Sequence, residues 1–213
     1  MAPRSNRDGA VTLWLVRHGE TDWNDAGRIQ GHTDIPLNET GRRQARNVAR
    51  RLASQSFAAV YASDLSRARE TAEIIAAEHC LPVQTDARLR ERCHGQLEGY
   101  FYQDVRTQHP HLIAALRADP VRTPMPGGES VADTAERMAA AADDLAERHP
   151  GRDILVATHG LSLAALYCLA NDLPLSKARD HIPDNAAVII IQWERGSAAR
   201  VMASRQPDTN AGS

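Results

Sequence analysis

Two stretches of this chain repeat one construction. Leu13-Trp14-Leu15-Val16 runs directly into Arg17-His18-Gly19, and Ile154-Leu155-Val156-Ala157 runs into Thr158-His159-Gly160. Each is an apolar run of strand length that stops where a glycine lets the chain turn. In an open α/β sheet, ligands bind in the crevice beyond the carboxyl ends of the strands. Histidines at two such ends face one pocket if the strands are neighbours, and that adjacency is the first expectation the sequence sets.

Between the two runs, helical and extended patterns alternate. Ala45, Val48, Ala49 and Leu52 recur at helical spacing and predict a helix from about Asn38 to Ser54, with Arg42-Arg43 and Arg50-Arg51 on its wet face. Ala58 to Ala62 reads as a strand, and Ser63-Asp64 as the cap of a helix over Leu65 to Glu78. That places Arg67 in a first helical turn beside another strand end, where free amide groups already favour anions. Taken alone, Arg67 would equally pair with Glu70 or Glu73 on its own helix. Pro82 to Thr85 reads as a short strand. Tyr102 to Leu116 is helical but interrupted by Pro110, and Asp119 to Gly128 is turn-rich. Ser130 with Asp133 makes a capping box for a helix to about Arg148, whose Val131, Ala135, Met138 and Leu145 face the core.

Leu161 to Ala170 reads as a buried apolar helix, and Ala187 to Gln192 and Ala199 to Ala203 as closing strands. Asp22 to Leu37 lacks sustained periodicity and reads as a structured loop walling the pocket. Strands alternating with helices predict a three-layer α/β/α sandwich with a mostly parallel central sheet. It forms one domain over 11–205, between a flexible segment at 1–10 and a disordered tail at 206–213.

A chain of 213 residues can bury one core of that kind. Its formal net charge of -2 carries no electrostatic footprint for nucleic acid or an anionic membrane, so any basic site must be local. The polar residues from Met1 to Ala10 have no signal-peptide core, and the apolar run Ala186 to Ile191 is too short to span a bilayer. Cys80, Cys93 and Cys168 are scattered and odd in number, which predicts reduced thiols in the cytoplasm. Cys93-His94 has no second ligand pair at metal spacing, and neither a GxxxxGK[ST] loop nor a GxGxxG turn is present; no metal or cofactor is expected.

What the pattern does offer is a pocket for a phosphate dianion. His18, Arg67 and His159 all fall just past strand ends, and Arg17 adds a second guanidinium. Glu91 and Glu98, in the non-periodic segment Arg88 to Gly99, are both candidates for acid/base work.

The chain resembles the histidine phosphatase superfamily, the phosphoglycerate mutase-like enzymes. The resemblance is carried by Arg17-His18-Gly19-Glu20-Thr21 with Trp23-Asn24, by Ser63-Asp64-Leu65-Ser66-Arg67-Ala68, by Glu91 with Gly95 and Glu98-Gly99, and by Thr158-His159-Gly160. These motifs keep their order from Val11 to about Asn185. The resemblance implies that His18 is the phosphorylated nucleophile, that Arg17, Arg67 and His159 bind the transferring group, and that Glu91 is the proton donor. It further implies that Thr21, Asn24, Gln30, Gly31 and Gly160 line the substrate side.

These residue types suit the chemistry. A neutral imidazole attacks phosphorus without a base, and nearby Arg17 and Arg67 favour that neutral form. Charge on the equatorial oxygens calls for fixed cations, here the two arginines and a protonated His159. Bisphosphoglycerate-dependent mutases carry an adjacent Arg pair between the acid and the second histidine, and Asn after His-Gly. Here Arg92 to Thr158 holds no such pair and no Lys, and Leu161 follows His159-Gly160, so the phosphatase branch is expected. Cys93-His94 before Gly95 is unusual for the family. The implied partner is a small-molecule phosphate ester. The resemblance also allows a homodimer and leaves the mutase reaction as the alternative. A non-catalytic phosphate-binding module would have lost one of His18, Arg67, Glu91 and His159, and this chain keeps all four.

Overall fold

The computed structural model describes residues 9–195 and 200–205. The expected flexible segment at 1–10 and the tail at 206–213 lie, but for residues 9 and 10, outside the described residues.

The chain opens with strand β1 (Val11–Arg17), followed by the short helix α1 (Asp22–Asp25) and by α2 (Glu39–Leu52). Strand β2 (Ala59–Ala62), helix α3 (Ser66–Ala77) and strand β3 (Val83–Thr85) come next. Helices α4 (Tyr102–Gln108), α5 (Pro110–Ala118) and α6 (Val131–Arg148) lead to β4 (Asp153–Thr158) and α7 (Gly160–Ala170). Strands β5 (Val188–Trp193) and β6 (Arg200–Arg205) close the fold.

The strands lie in the order β3-β2-β4-β1-β5-β6. The first four run parallel, β5 runs antiparallel to β1, and the edge strand β6 runs antiparallel to β5. Strand alternation sorts the apolar side chains between two layers. Val11, Leu13, Leu15, Ile154 and Val156 pack against Met138, Ala142 and Leu145 of α6 and Leu163 and Leu166 of α7. Val16, Val60, Ala62, Leu155 and Ala157 meet Val48, Ala49 and Leu52 of α2 and Ala72 and Ile75 of α3 on the opposite face. The result is the expected three-layer sandwich.

Two local expectations change, and the break expected at Pro110 is present. Asp22 to Leu37 contains a helical turn, α1, because Thr21 and Asn24 form a capping box: the Thr21 hydroxyl accepts from Asn24 N and the Asn24 side chain accepts from Thr21 N. Ser63-Asp64 does not cap α3. The N-cap is Leu65, which has no side-chain bond to give, and Asp34 Oδ1 takes the Ser66 N–H and hydroxyl instead, both at 2.7 Å. Asp64 is committed to Arg90, whose Nε donates to it at 2.7 Å. Pro110 divides the Tyr102–Leu116 pattern into α4 and α5 and stands at the start of the second. The Ser130–Asp133 box caps α6 as the spacing predicts.

Candidate active site

Parallel pairing of β1 with β4 sets Arg17 opposite Thr158, so His18 and His159 leave adjacent strands side by side. His18 N donates to the Thr158 carbonyl at 2.9 Å, and the two ring centroids are 5.1 Å apart with the rings inclined at 61°. Both rings are buried. On the other side of β4, β2 ends at Ala62 opposite Ala157, and the chain passes into α3 at Arg67. Arg67 is fully buried rather than paired on the surface: Arg42 takes Glu70, and Arg69 takes Glu73.

The Arg67 guanidinium is aimed by loop carbonyls. Nη1 donates to Thr33 O at 2.9 Å and Nη2 to Gly31 O at 2.7 Å, while Nε has no partner. Arg17 donates through Nη1 to Pro183 O at 2.6 Å and likewise keeps a buried Nε unpartnered. Burial lowers the pKa of both, that of Arg67 to about 10, and both stay cationic at neutral pH. Unfilled buried donors of this kind are costly unless an anion completes them.

His18 Nδ1 lies 2.6 Å from the Gly19 carbonyl. A carbonyl only accepts, so Nδ1 carries the proton and the neutral ring keeps its lone pair on Nε2. Burial, followed by Arg67 and Arg17, pushes the pKa of His18 well below its usual value, so the ring is neutral as expected. His159 departs from expectation. Burial, then Arg67, His18 and Arg17, push its pKa down too, and neither ring nitrogen has a partner. Burial, with the neighbouring guanidinium groups, keeps His159 a neutral imidazole.

Glu91 sits at the amino end of α7. Its carboxylate accepts from Arg92 N at 2.9 Å, from Leu161 N and Ser162 N at 3.1 Å each, and from the Ser162 hydroxyl at 3.2 Å. The same hydroxyl lies 2.7 Å from Arg90 O. Having one proton and two acceptors, Ser162 can follow a change in the protonation of Glu91. Glu98, the other carboxylate candidate, is a clamp. It accepts from His32 N at 2.9 Å, Thr33 N at 2.8 Å, the Thr33 hydroxyl at 2.6 Å and His94 N at 3.1 Å. Burial raises its pKa, but these donors outweigh burial and hold it lower than usual.

A cavity of about 200 Å³ opens beside this centre, bordered by Arg17, Glu91, Arg92, His94, Tyr102, Gly160, Leu161, Arg179 and Ile182. Gly160 gives room: a Cβ there would stand 3.0 Å from Ile182 Cγ2 and 3.4 Å from Arg17 Nε. Thr21, Asn24, Gln30 and Gly31 do not border the cavity. The Thr21 hydroxyl contacts both Asn24 Oδ1 and Gln30 Oε1, and Gly31 serves Arg67 through its carbonyl. Asn185 Nδ2 ties the loop to His18, donating to His18 O at 3.1 Å and to Asn24 Oδ1 at 3.3 Å.

Sequence reasoning misses Thr71, Ser162, Asn185 and Arg137, all of which act on backbone groups. Thr71 accepts from Gly19 N at 3.1 Å and donates to Arg67 O at 2.7 Å, linking the His18–Gly19 turn to Arg67. Arg137 donates to the carbonyls of Arg88, Arg90 and Glu91 and pairs with Glu129. Its place one turn beyond the Ser130–Asp133 cap was the only available signal. Among the described residues, no three His, Cys, Asp or Glu side chains group as a metal site would require, and no helix is long and apolar enough to cross a membrane.

The chain is similar to several known proteins. Phosphoglycerate mutase-like protein 4 of Arabidopsis thaliana is 44% identical over 157 residues, which cover 72% of this chain and 68% of that protein. Phosphoserine phosphatase 1 of Hydrogenobacter thermophilus is 33% identical over 184 residues, covering 86% and 87% respectively. The structure of a mycobacterial glucosyl-3-phosphoglycerate phosphatase, in complex with VO3, superposes with a TM-score of 0.80 at 30% identity, over 90% of this chain and 97% of that one. The match to the histidine phosphatase superfamily (branch 1) runs over residues 13–204, and the chain belongs to that family.

Proposed function

We propose that this protein is a phosphomonoesterase that passes the phosphoryl group of a small phosphorylated metabolite to water through a phosphohistidine at His18. One observation carries the reading: a buried, neutral His18 with its proton fixed on Nδ1, flanked by two buried guanidinium groups that keep unfilled donors. The names of the relatives, phosphoserine phosphatase and glucosyl-3-phosphoglycerate phosphatase, support a phosphorylated metabolite as substrate.

In the first step the Nε2 lone pair forms a bond to phosphorus as the ester P–O bond breaks in line. Arg17 and Arg67 hold the equatorial oxygens, and the arriving dianion gives His159 the negative partner it lacks, so that it too donates. Glu91 passes a proton to the departing alkoxide. In the second step Glu91 takes a proton from water, the water oxygen bonds to phosphorus, and the N–P electron pair returns to Nε2. No step calls on a metal ion. Free thiols at Cys80, Cys93 and Cys168 support a reducing compartment, the cytoplasm, as the place of action.

The test is phosphate release from a panel of phosphomonoesters, run beside conversion of 3-phosphoglycerate to 2-phosphoglycerate primed with the bisphosphate. Release without isomerisation, with an acid-labile phosphoryl group trapped on His18, is the expected result. Isomerisation outrunning release would make the protein a mutase, and silence in both would leave a phosphate-binding module.

A further inference from the structure

Glu98 does not border the cavity beside the reacting centre, and the mechanism above leaves it unused. Its bonds nevertheless join two stretches that are distant in sequence. Oε1 accepts from His32 N and His94 N, and Oε2 accepts from Thr33 N and the Thr33 hydroxyl. His94 belongs to the segment that follows Glu91, and His32 and Thr33 belong to the loop between α1 and α2. Glu98 also packs over Gly31 in that loop, where a Cβ would meet Oε1 at 2.2 Å.

What this loop gives the phosphate site is the aim of Arg67. The carbonyls of Gly31 and Thr33 take Nη2 at 2.7 Å and Nη1 at 2.9 Å, and the buried Nε is left unpartnered. No helix or strand fixes those carbonyls: the turn closes on itself, with Thr33 N also reaching Gln30 O at 3.0 Å. Asp34 straps the loop to Ser66, at the start of the helix that carries Arg67, so that contact moves with the arginine. Glu98 straps it from the other side and sets the carbonyls against the rest of the site. A misplacement of about 1 Å at such a group can cost on the order of 10² in rate.

Three of the four groups that Glu98 accepts from are backbone N–H groups, which can only donate, and a carboxylate answers all of them at once. Burial raises its pKa, but these donors more than reverse the effect, and the group is ionised at neutral pH.

We propose that Glu98 is a positioning residue for the transfer step: through Thr33 it fixes the two loop carbonyls that aim Arg67 at the transferring phosphoryl group. The inference rests on the phosphatase reading above. It gives a carboxylate that the sequence offers for acid/base work a different task, in which no proton moves.

Glu98→Gln tests this while keeping the volume over Gly31. The amide oxygen stays with His32 N and His94 N, and the NH2 turns to Thr33, whose hydroxyl can reverse; Thr33 N then faces a second donor and is pushed from its place. The variant should lose about tenfold in kcat/KM and bind inorganic phosphate about tenfold more weakly. The loss should be equal for an alkyl phosphate and for p-nitrophenyl phosphate, because Arg67 serves the phosphoryl group and not the leaving alcohol. In an Arg67→Ala background the same substitution should cost no more than about a further threefold, since its target is already gone. Thr33→Val, which removes only the hydroxyl bond, should move the same quantities in the same direction, and Thr33→Ser should restore them; this pair carries the test if Glu98→Gln does not fold. A loss confined to the alkyl ester would make Glu98 part of proton transfer, and a loss undiminished in Arg67→Ala would make it a stability residue; either overturns the proposal. If no ester releases phosphate, the phosphatase reading fails by itself. Calorimetric titration with inorganic phosphate then decides the positioning role: affinity weakened by Glu98→Gln, but not further in Arg67→Ala, upholds it, and unchanged or absent phosphate binding overturns it.

Discussion

His18 Nδ1 and the carbonyl of Gly19 are 2.6 Å apart, a contact between neighbours in sequence that settles the tautomer of the His18 ring. A hydrogen bond this local does not depend on ligand binding. It leaves Nε2 unprotonated before any substrate arrives, and Thr71 holds the same Gly19 in place through its N–H.

Replacing His18 with Ala should reduce phosphate release by at least ~10³-fold while phosphate binding survives, since the guanidinium groups are retained. Steady-state assay together with a binding titration checks this. Activity above a tenth of the wild-type rate would contradict a phosphohistidine at this position.

Glu91→Gln should slow alkyl phosphates by about 10²–10⁴-fold and p-nitrophenyl phosphate far less, because nitrophenolate departs without a proton. The measurement is the dependence of kcat on leaving-group pKa. An equal loss for both ester types would remove Glu91 from the role of acid.

Arg137 holds the Arg88–Glu91 segment by three of its carbonyls and does not border the cavity. Arg137→Met should therefore lower kcat by about tenfold with KM little altered. A change confined to KM would show that the arginine serves only the substrate pocket.

Gly31 has φ +54°, and a Cβ there would lie 2.2 Å from Glu98 Oε1. Gly27, at φ +68°, has open space around the same atom. Gly27→Ala should cost about 1 kcal/mol, the strain of the left-handed backbone alone. Gly31→Ala should cost at least twice as much, roughly 2–3 kcal/mol, and should also weaken phosphate binding, because Arg67 leans on the Gly31 carbonyl. Denaturant unfolding of the two variants decides it.

His18, His94 and His159 are all buried with pKa values pushed down, that of His94 to about 3. Below pH 6.5, and for His94 down to about pH 3, the unfolded chain binds protons that these folded side chains refuse, so stability falls as the pH falls. The loss begins near pH 6.5, above the range where the lowered carboxylates Glu98 and Glu129 add theirs. Each histidine contributes a slope of about 1.4 kcal/mol per pH unit. His94→Asn should remove one such slope from unfolding measured between pH 4.5 and 6.5.

The parts of this site that the sequence makes visible are those where backbone geometry and chemistry coincide. His18 and His159 announce themselves because an apolar strand ends and a glycine follows, and Arg67 because a helix begins there. Ser130 and Asp133 are legible because a cap is a three-residue event. Arg137 and Thr71 are not: their partners are carbonyl and amide groups, which every residue has, and only the folded path of the loop says which ones are near. The cap of α3 is misread for a related reason. Asp34 supplies it from 32 residues away, through a loop whose course periodicity does not describe. The charge of His159 escapes as well, because burial and Arg67 decide it, and neither is a property of the local sequence.

The parallel pairing of β1 with β4 joins the chain's first strand to one formed only after residue 153. Nearly three-quarters of the polypeptide must be made before the two imidazoles can meet. A nascent or truncated chain ending before β4 therefore holds half a phosphate site, with Arg17 and Arg67 but no His159. Phosphate and its analogues, binding the completed topology, should act on this protein as folding ligands that draw the equilibrium toward the native state.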